Sequence, residues 1–211
     1  MTSTAILEKV ATYYAEKLRT FGPTPRGVDW NGAESQRLRF AQLLRLPETD
    51  QAFSLVDYGC GYGALLDYLR ERRATVTYTG FDVSPEMIHT ARALHAASPG
   101  TTFTTEESEL PRADYVVASG IFNVRLDVAE ADWHAYMLAV LDRMAALARR
   151  GFAFNVLSRY GDPEQRRPDL YYADPLALFD HCKTRFSRRV ALLHDYPLYE
   201  FTILVRVEAD A

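Results

Sequence analysis

Cysteine is scarce: Cys60 and Cys182 are the two in 211 residues, with no CxxC spacing. Two thiols build neither a zinc cluster nor a disulfide framework, so no metal site is expected and a reducing compartment is. Long apolar runs are also lacking. The longest, Ala135 to Leu141, is seven residues, against about 20 for a membrane-spanning helix. The opening residues, Met1-Thr-Ser-Thr-Ala-Ile-Leu-Glu-Lys, hold no apolar signal-peptide core. Nor is there a basic excess: 24 Lys plus Arg stand against 28 Asp plus Glu, a formal net charge of −4, whereas nucleic-acid binders show a basic surplus or stripe. Repeats and low-complexity tracts are missing. What remains, 48% hydrophobic and 25% charged residues, is ordinary for a soluble globular chain. The expectation is one cytoplasmic domain over residues 1–211, of unknown oligomeric state, with no nucleic acid or membrane partner.

Hydrophobic spacing organises that domain. Ile6, Leu7, Val10, Ala11, Tyr14 and Leu18 share one face of a helix that stops at Gly22-Pro23. A second helix is expected from Asn31, with Glu34 three residues on as a near capping box, ending before Pro47. Residues 1–50 thus read as a helical cap and 51–211 as a core of alternating strands and helices. The expected strands are Phe53–Tyr58, Val76–Asp82, Thr101–Glu106, Asp114–Ser119, Phe152–Leu157, Arg189–His194 and Phe201–Val207. Helices are expected over Tyr62–Arg72, after the Ser84 cap with Pro85 first, around Trp133 to Leu147, and from Asp174-Pro175 to about Cys182. This alternation implies an α/β fold, a doubly wound, mostly parallel seven-stranded sheet whose last two strands pair antiparallel across a short loop. Ligands of such sheets bind beyond the carboxyl ends of the strands, where strand order reverses.

The richest segment is Leu55-Val-Asp57-Tyr-Gly59-Cys-Gly61-Tyr-Gly63-Ala64. Alternate glycines after a strand let the backbone turn sharply and approach a ligand. Gly59-x-Gly61-x-x-Ala64 also fits a dinucleotide fingerprint, and Asp82, at the end of the next strand, suits the ribose hydroxyls of any nucleoside cofactor. Asp57 separates the readings. A carboxylate at the mouth of the turn repels a pyrophosphate and favours a cationic ligand. A nicotinamide domain of about 150 residues would also need a second catalytic domain, for which little chain remains.

Three segments in order, Val56-Asp-Tyr-Gly-Cys-Gly-Tyr-Gly63, Tyr78-Thr-Gly-Phe-Asp-Val-Ser-Pro-Glu-Met-Ile88 and Leu110-Pro-Arg-Ala-Asp-Tyr-Val-Val-Ala-Ser119, resemble the class I S-adenosylmethionine-dependent methyltransferases, in particular small bacterial ones. The resemblance implies a Rossmann-like methyltransferase fold, S-adenosylmethionine as cofactor, S-adenosylhomocysteine as product, and a small-molecule acceptor. It further implies that Gly59, Gly61 and Gly63 line the methionine part, that Asp57 meets its amino group, and that Asp82 holds the ribose. Val83 and Met87 would flank the adenine, Glu106 or Glu107 would meet its amino group, and Ser119 and Gly120 would contact the methionine moiety. Trp30, Gln36 and Arg39 would fold over as a lid, Arg39 offering a donor to the cofactor carboxylate.

Other residues are candidates on chemistry alone. His134 and Asn155 are weak candidates for a catalytic role, each with an alternative: a solvated helix histidine, or an amide satisfied by backbone. Tyr14, Arg125, Asn155, Ser158 and Tyr172 are candidates for substrate contact. Arg26, Arg125, Arg159, Arg166 and Arg167 gather on the expected active face, and such forks suit an anionic acceptor. Two competing functions stay open: an NAD(P)-dependent oxidoreductase, and a non-catalytic cofactor-binding protein of the same fold.

Overall fold

The computed structural model describes residues 1–47 and 51–207. The boundary drawn between residues 50 and 51, and the end of the chain at 208–211, lie outside the described residues. The cap comprises α1 (Ser3–Phe21), a 3-10 turn (Pro25–Val28) and α2 (Ala33–Leu43). The core follows as β1 (Phe53–Tyr58), α3 (Ala64–Glu71), β2 (Val76–Phe81), α4 (Pro85–Leu94), β3 (Thr101–Thr104), β4 (Ala113–Ala118), α5 (Glu130–Leu147), β5 (Ala148–Leu157), α6 (Pro175–Arg185), β6 (Arg189–Leu193) and β7 (Glu200–Arg206).

The sheet has seven strands in the order β3-β2-β1-β4-β5-β7-β6. β7 is antiparallel to both β5 and β6, while the pairs among β1 to β5 are parallel. Alternation along each strand supplies two apolar faces. Val56, Val116, Phe152 and Ile203 pack with Trp133 and Met137 of α5 and Leu178 of α6. Leu55, Val117, Ala153 and Leu204 pack with Leu43 of α2, Leu65 of α3 and Ile88 of α4. The order reverses between β1 and β4, so the crevice lies beyond Tyr58 and Ala118.

Two expected helix starts shift, each for a local reason. α2 begins at Ala33 with Gly32 at its N-cap and no side-chain cap, so Asn31 does not form the expected capping box. α3 begins at Ala64 rather than Tyr62 because Gly63 precedes it in the left-handed region, φ +88°, which leaves Tyr62 in the turn. By contrast, the Ser84 side chain caps α4, with Pro85 first, and Asp174 caps α6. No helix among the described residues is long and apolar enough to cross a membrane.

Candidate functional site

Backbone hydrogen bonds tie the turn after β1 to the end of β2. Gly59 N and Cys60 N donate to the Phe81 carbonyl at 2.7 and 2.8 Å. Gly61 N donates to Asp82 Oδ2 at 2.9 Å, and Ser84 N donates to Oδ1 at 2.9 Å. Gly61 sits at φ +55°, a conformation that L side chains rarely adopt and that aims its N–H at the carboxylate. A carboxylate has about four acceptor positions, so Asp82 keeps capacity on both oxygens toward the cavity that it lines. Burial raises the Asp82 carboxyl, and the Ser84 and Gly61 N–H groups oppose that rise.

Asp57 lies deeper, 2% exposed. Its Oδ2 accepts from the Tyr78 hydroxyl at 2.6 Å. Burial pushes this carboxyl up to about 7, Tyr78 pulls it back and Asp82 adds to the rise.

Together these residues face a cavity of about 820 Å³ of empty space, open solvent at its mouth included. Of the residues singled out in the sequence, Asp57, Gly59, Gly61, Asp82, Val83, Met87, Ser119 and Gly120 line it, and Tyr14, Trp30 and Gln36 close it from the cap. Asp57 and Asp82 are the charged side chains on its wall, and no lysine, arginine or histidine is among the described lining residues. Ser119 Oγ is buried with no hydrogen-bond partner, a group that a polar ligand atom would satisfy. Cys60 also lines the cavity; its thiol is buried and burial drives its pKa upward. Gly63 is outside the wall, its backbone packed against His95 and Phe103.

Gly120 explains how the cap closes. It sits at φ +74°, and a Cβ there would lie 2.2 Å from the Trp30 ring. The missing side chain lets the indole rest on the backbone. Gly120 N is fastened to Asn155 Oδ1 at 2.7 Å.

A second cleft adjoins the first and shares Tyr14, Val28, Trp30 and Gly120 with it. Arg39 belongs here rather than to the first cavity. Its Nε and Nη2 donate to Glu200 at 2.8 and 2.5 Å, and its guanidinium stacks 3.8 Å from the Trp30 ring centre. The expected donation to the cofactor carboxylate is therefore replaced by a buried ion pair between cap and sheet. Asn123 links the same carboxylate at 3.4 Å and accepts from Leu157 N at 3.0 Å.

Tyr172, Arg166 and Arg167 line this cleft, with the Tyr172 hydroxyl accepting from Arg167 N at 2.9 Å. The structure does not bring every candidate there. Glu106 is exposed and lines neither cavity. Glu107 also stays outside, bonded to Tyr58 and Arg143. His134 is turned to the Tyr171 hydroxyl, 2.8 Å away. Arg125 donates to the carbonyls of Leu170 and Val128 at 3.2 and 2.7 Å. Ser158 is buried and accepts from Tyr160 N at 3.2 Å, and Asn155 acts through Gly120.

Sequence reasoning passed over Val28, Tyr136 and Ile121 in the first cavity and Glu200 in the second. Tyr136 follows Trp133 by three positions, a helical spacing that placed it beside the core face. Glu200, an acid opening an apolar strand, was the visible signal for a buried partner.

A model described as a methyltransferase domain matches residues 56–151. The Mycobacterium tuberculosis protein named "Putative methyltransferase Rv1506c" is 53% identical over 163 residues, which cover 77% of this chain and 98% of that one. Among solved structures, the N-methyltransferase NodS from Bradyrhizobium japonicum WM9, in complex with S-adenosylhomocysteine, matches with a TM-score of 0.65 and 17% identity, over 94% of this chain and 98% of that one. Magnesium protoporphyrin IX methyltransferase from Synechocystis PCC 6803, with bound S-adenosylhomocysteine, matches with a TM-score of 0.59 and 16% identity over 83% of each chain. At such identities the structures speak for the Rossmann-like methyltransferase fold, while the mycobacterial relative speaks for the family. The chain belongs to the class I S-adenosylmethionine-dependent methyltransferases.

Proposed function

We propose that the protein transfers the methyl group of S-adenosylmethionine to a small-molecule acceptor seated in the second cleft. One observation carries this reading: a cavity whose charged side chains are two carboxylates shares a wall with a cleft that holds arginines. A cofactor with an ammonium and a positive sulfur, and no phosphate, suits the first; a pyrophosphate does not. When bound, that cofactor supplies a methyl group already activated by the positive sulfur.

The chain's own part is binding, orientation and exclusion of water. Asp82 would hold the ribose hydroxyls, Val83 and Met87 would pack beside the adenine, and Asp57 would face the ammonium. Ser119 Oγ and the Gly120 backbone would meet the methionine part. Tyr14 and Trp30 stand where the two cavities meet and would shield the reacting atoms. Orientation of a nucleophile to about 3–3.5 Å from its target carries much of the rate in such a displacement. Burial holds the Tyr14 phenol far above its usual pKa, so it serves as a neutral hydrogen-bonding group. His134, held by Tyr171, is not offered as a base. An acceptor with negative charge suits the arginines of the cleft.

Calorimetry with S-adenosylhomocysteine and with NAD tests the cofactor. The homocysteine nucleoside should bind and NAD should not; binding of NAD alone would overturn the proposal. Incubation with methyl-labelled cofactor and a fractionated cell extract tests the acceptor. Label should appear in the small-molecule fraction. Label only in protein or nucleic acid, or in nothing, would count against a small acceptor or against catalysis.

A further inference from the structure

Beneath the loop joining α1 and α2, the second cleft continues into a recess lined by Lys17, Phe21, Arg26, Asp29, Trp30 and Arg167. Asp29, Trp30 and Arg167 belong to both spaces. Three of the lining side chains are cations and one is an acid.

The acid is already taken. Lys17 Nζ donates to Asp29 Oδ1 at 2.6 Å and the Tyr13 hydroxyl donates to Oδ2 at 2.8 Å. Arg167 pairs with Asp169 at 2.5 Å and stands 3.7 Å from Asp29. Arg26 forms no ion pair among the described residues; its guanidinium lies 4.3 Å from the Phe21 ring centre. Arg166, on the cleft side, gives its Nη2 to the Arg159 carbonyl and lies over Tyr172 at 5.5 Å. Arg26 in the recess and Arg166 in the cleft are thus without a carboxylate of their own, while Arg167, which lines both spaces, is shared by Asp169 and Asp29. The remaining acids of the cleft are Glu200, held by Arg39, and Asp162, which accepts from the Tyr199 hydroxyl at 2.7 Å.

This local surplus stands in a chain of net charge −4, next to a cavity whose own charges are acidic. The two ends of the site therefore sort ligands by sign. We propose that the recess beside Trp30 binds the acidic group, a carboxylate or a phosphate, of the methyl acceptor, with Arg26 as its principal donor and Arg167 as a second cation of its wall. Arginine forks match both oxyanions. The assignment rests on the acceptor occupying the second cleft.

Trp30 makes the proposal testable without knowing the acceptor. The chain has two tryptophans, and Trp133 is 0% exposed in the core, so a change at the recess reads out through Trp30. Protein saturated with S-adenosylhomocysteine is titrated with inorganic phosphate and, separately, with acetate at constant ionic strength. A saturable change in tryptophan emission is expected, with affinity weakened about fivefold by Arg26→Ala and further by Arg26→Ala with Arg167→Ala. Both side chains are exposed, so melting temperature and S-adenosylhomocysteine affinity should stay unchanged. Saturation by phosphate alone assigns a phosphorylated acceptor, and by acetate alone a carboxylate. Linear responses to both anions, or unaltered affinity in the double variant, would overturn the recess. Phosphate saturation in a protein that fails to bind S-adenosylhomocysteine would instead sink the methyl-transfer reading, and the acceptor assignment with it.

Discussion

The two spaces that meet at Trp30 are built in opposite ways. The floor of the inner cavity is made from turns that follow three neighbouring strands, held by backbone hydrogen bonds between β1 and β2 and by the tie from Gly120 to Asn155, with the cap closing over it. The outer cleft is assembled by side chains from distant segments, as in the pair Arg39 and Glu200, 161 positions apart. The floor of the first therefore depends on backbone geometry. The second depends on a folded cap being in place against the sheet.

Breaking the outer construction should have the largest effect. Glu200 is fully buried, and removing one member of a buried ion pair strands the other charge. Glu200→Gln should lower stability by about 3–5 kcal/mol, measured by urea unfolding; a loss below about 1 kcal/mol would mean that the cap is held by apolar packing alone.

Asp82→Ala probes the inner cavity. It should weaken S-adenosylhomocysteine binding by about 1–3 kcal/mol in calorimetry. An unchanged dissociation constant would remove Asp82 from the site.

Asp57 sharpens the contrast through pH. Its carboxyl ionises near 7 in the folded chain and near 4 when unfolded. The native state thus keeps a proton that the unfolded state has lost, so Asp57 makes stability fall as pH rises from about 4 to about 7, and level off above. Affinity for the ammonium of S-adenosylhomocysteine should rise through the upper part of that window, because the ligand favours the ionised form. Melting and calorimetry in steps of pH should show both slopes flattened in Asp57→Asn.

The smallest effect belongs to Glu106→Ala. Its side chain is outside both cavities, so binding of S-adenosylhomocysteine should be unaltered. A loss comparable with that of Asp82→Ala would return Glu106 to the adenine.

The same contrast accounts for what could be read in the sequence. Apolar alternation and the Ser84-Pro85 and Asp174-Pro175 caps announce strands and helices because they act within a few residues. Asp57, Gly61, Asp82 and Met87 are legible for the same reason. Arg39 was legible as a donor but not in its direction, since nothing near residue 39 reveals Glu200. Glu106 illustrates the limit of spacing: β3 ends at Thr104, and the 3-10 turn Glu107–Glu109 carries the following acids away from the cavity. Asn31 failed as a cap because Gly32 stands between it and the first helical residue.

One sulfur atom offers a clock. Cys60 Sγ lies 2.9 Å from where a Cβ on Gly80 would stand, behind a turn whose N–H groups are fastened to Phe81. The residue also lines the first cavity, so an alkylating reagent that enters the mouth approaches it from the side where a ligand would rest. The rate of labelling of native protein therefore gauges how freely the cavity is entered, and an occupant resting on the turn should slow it.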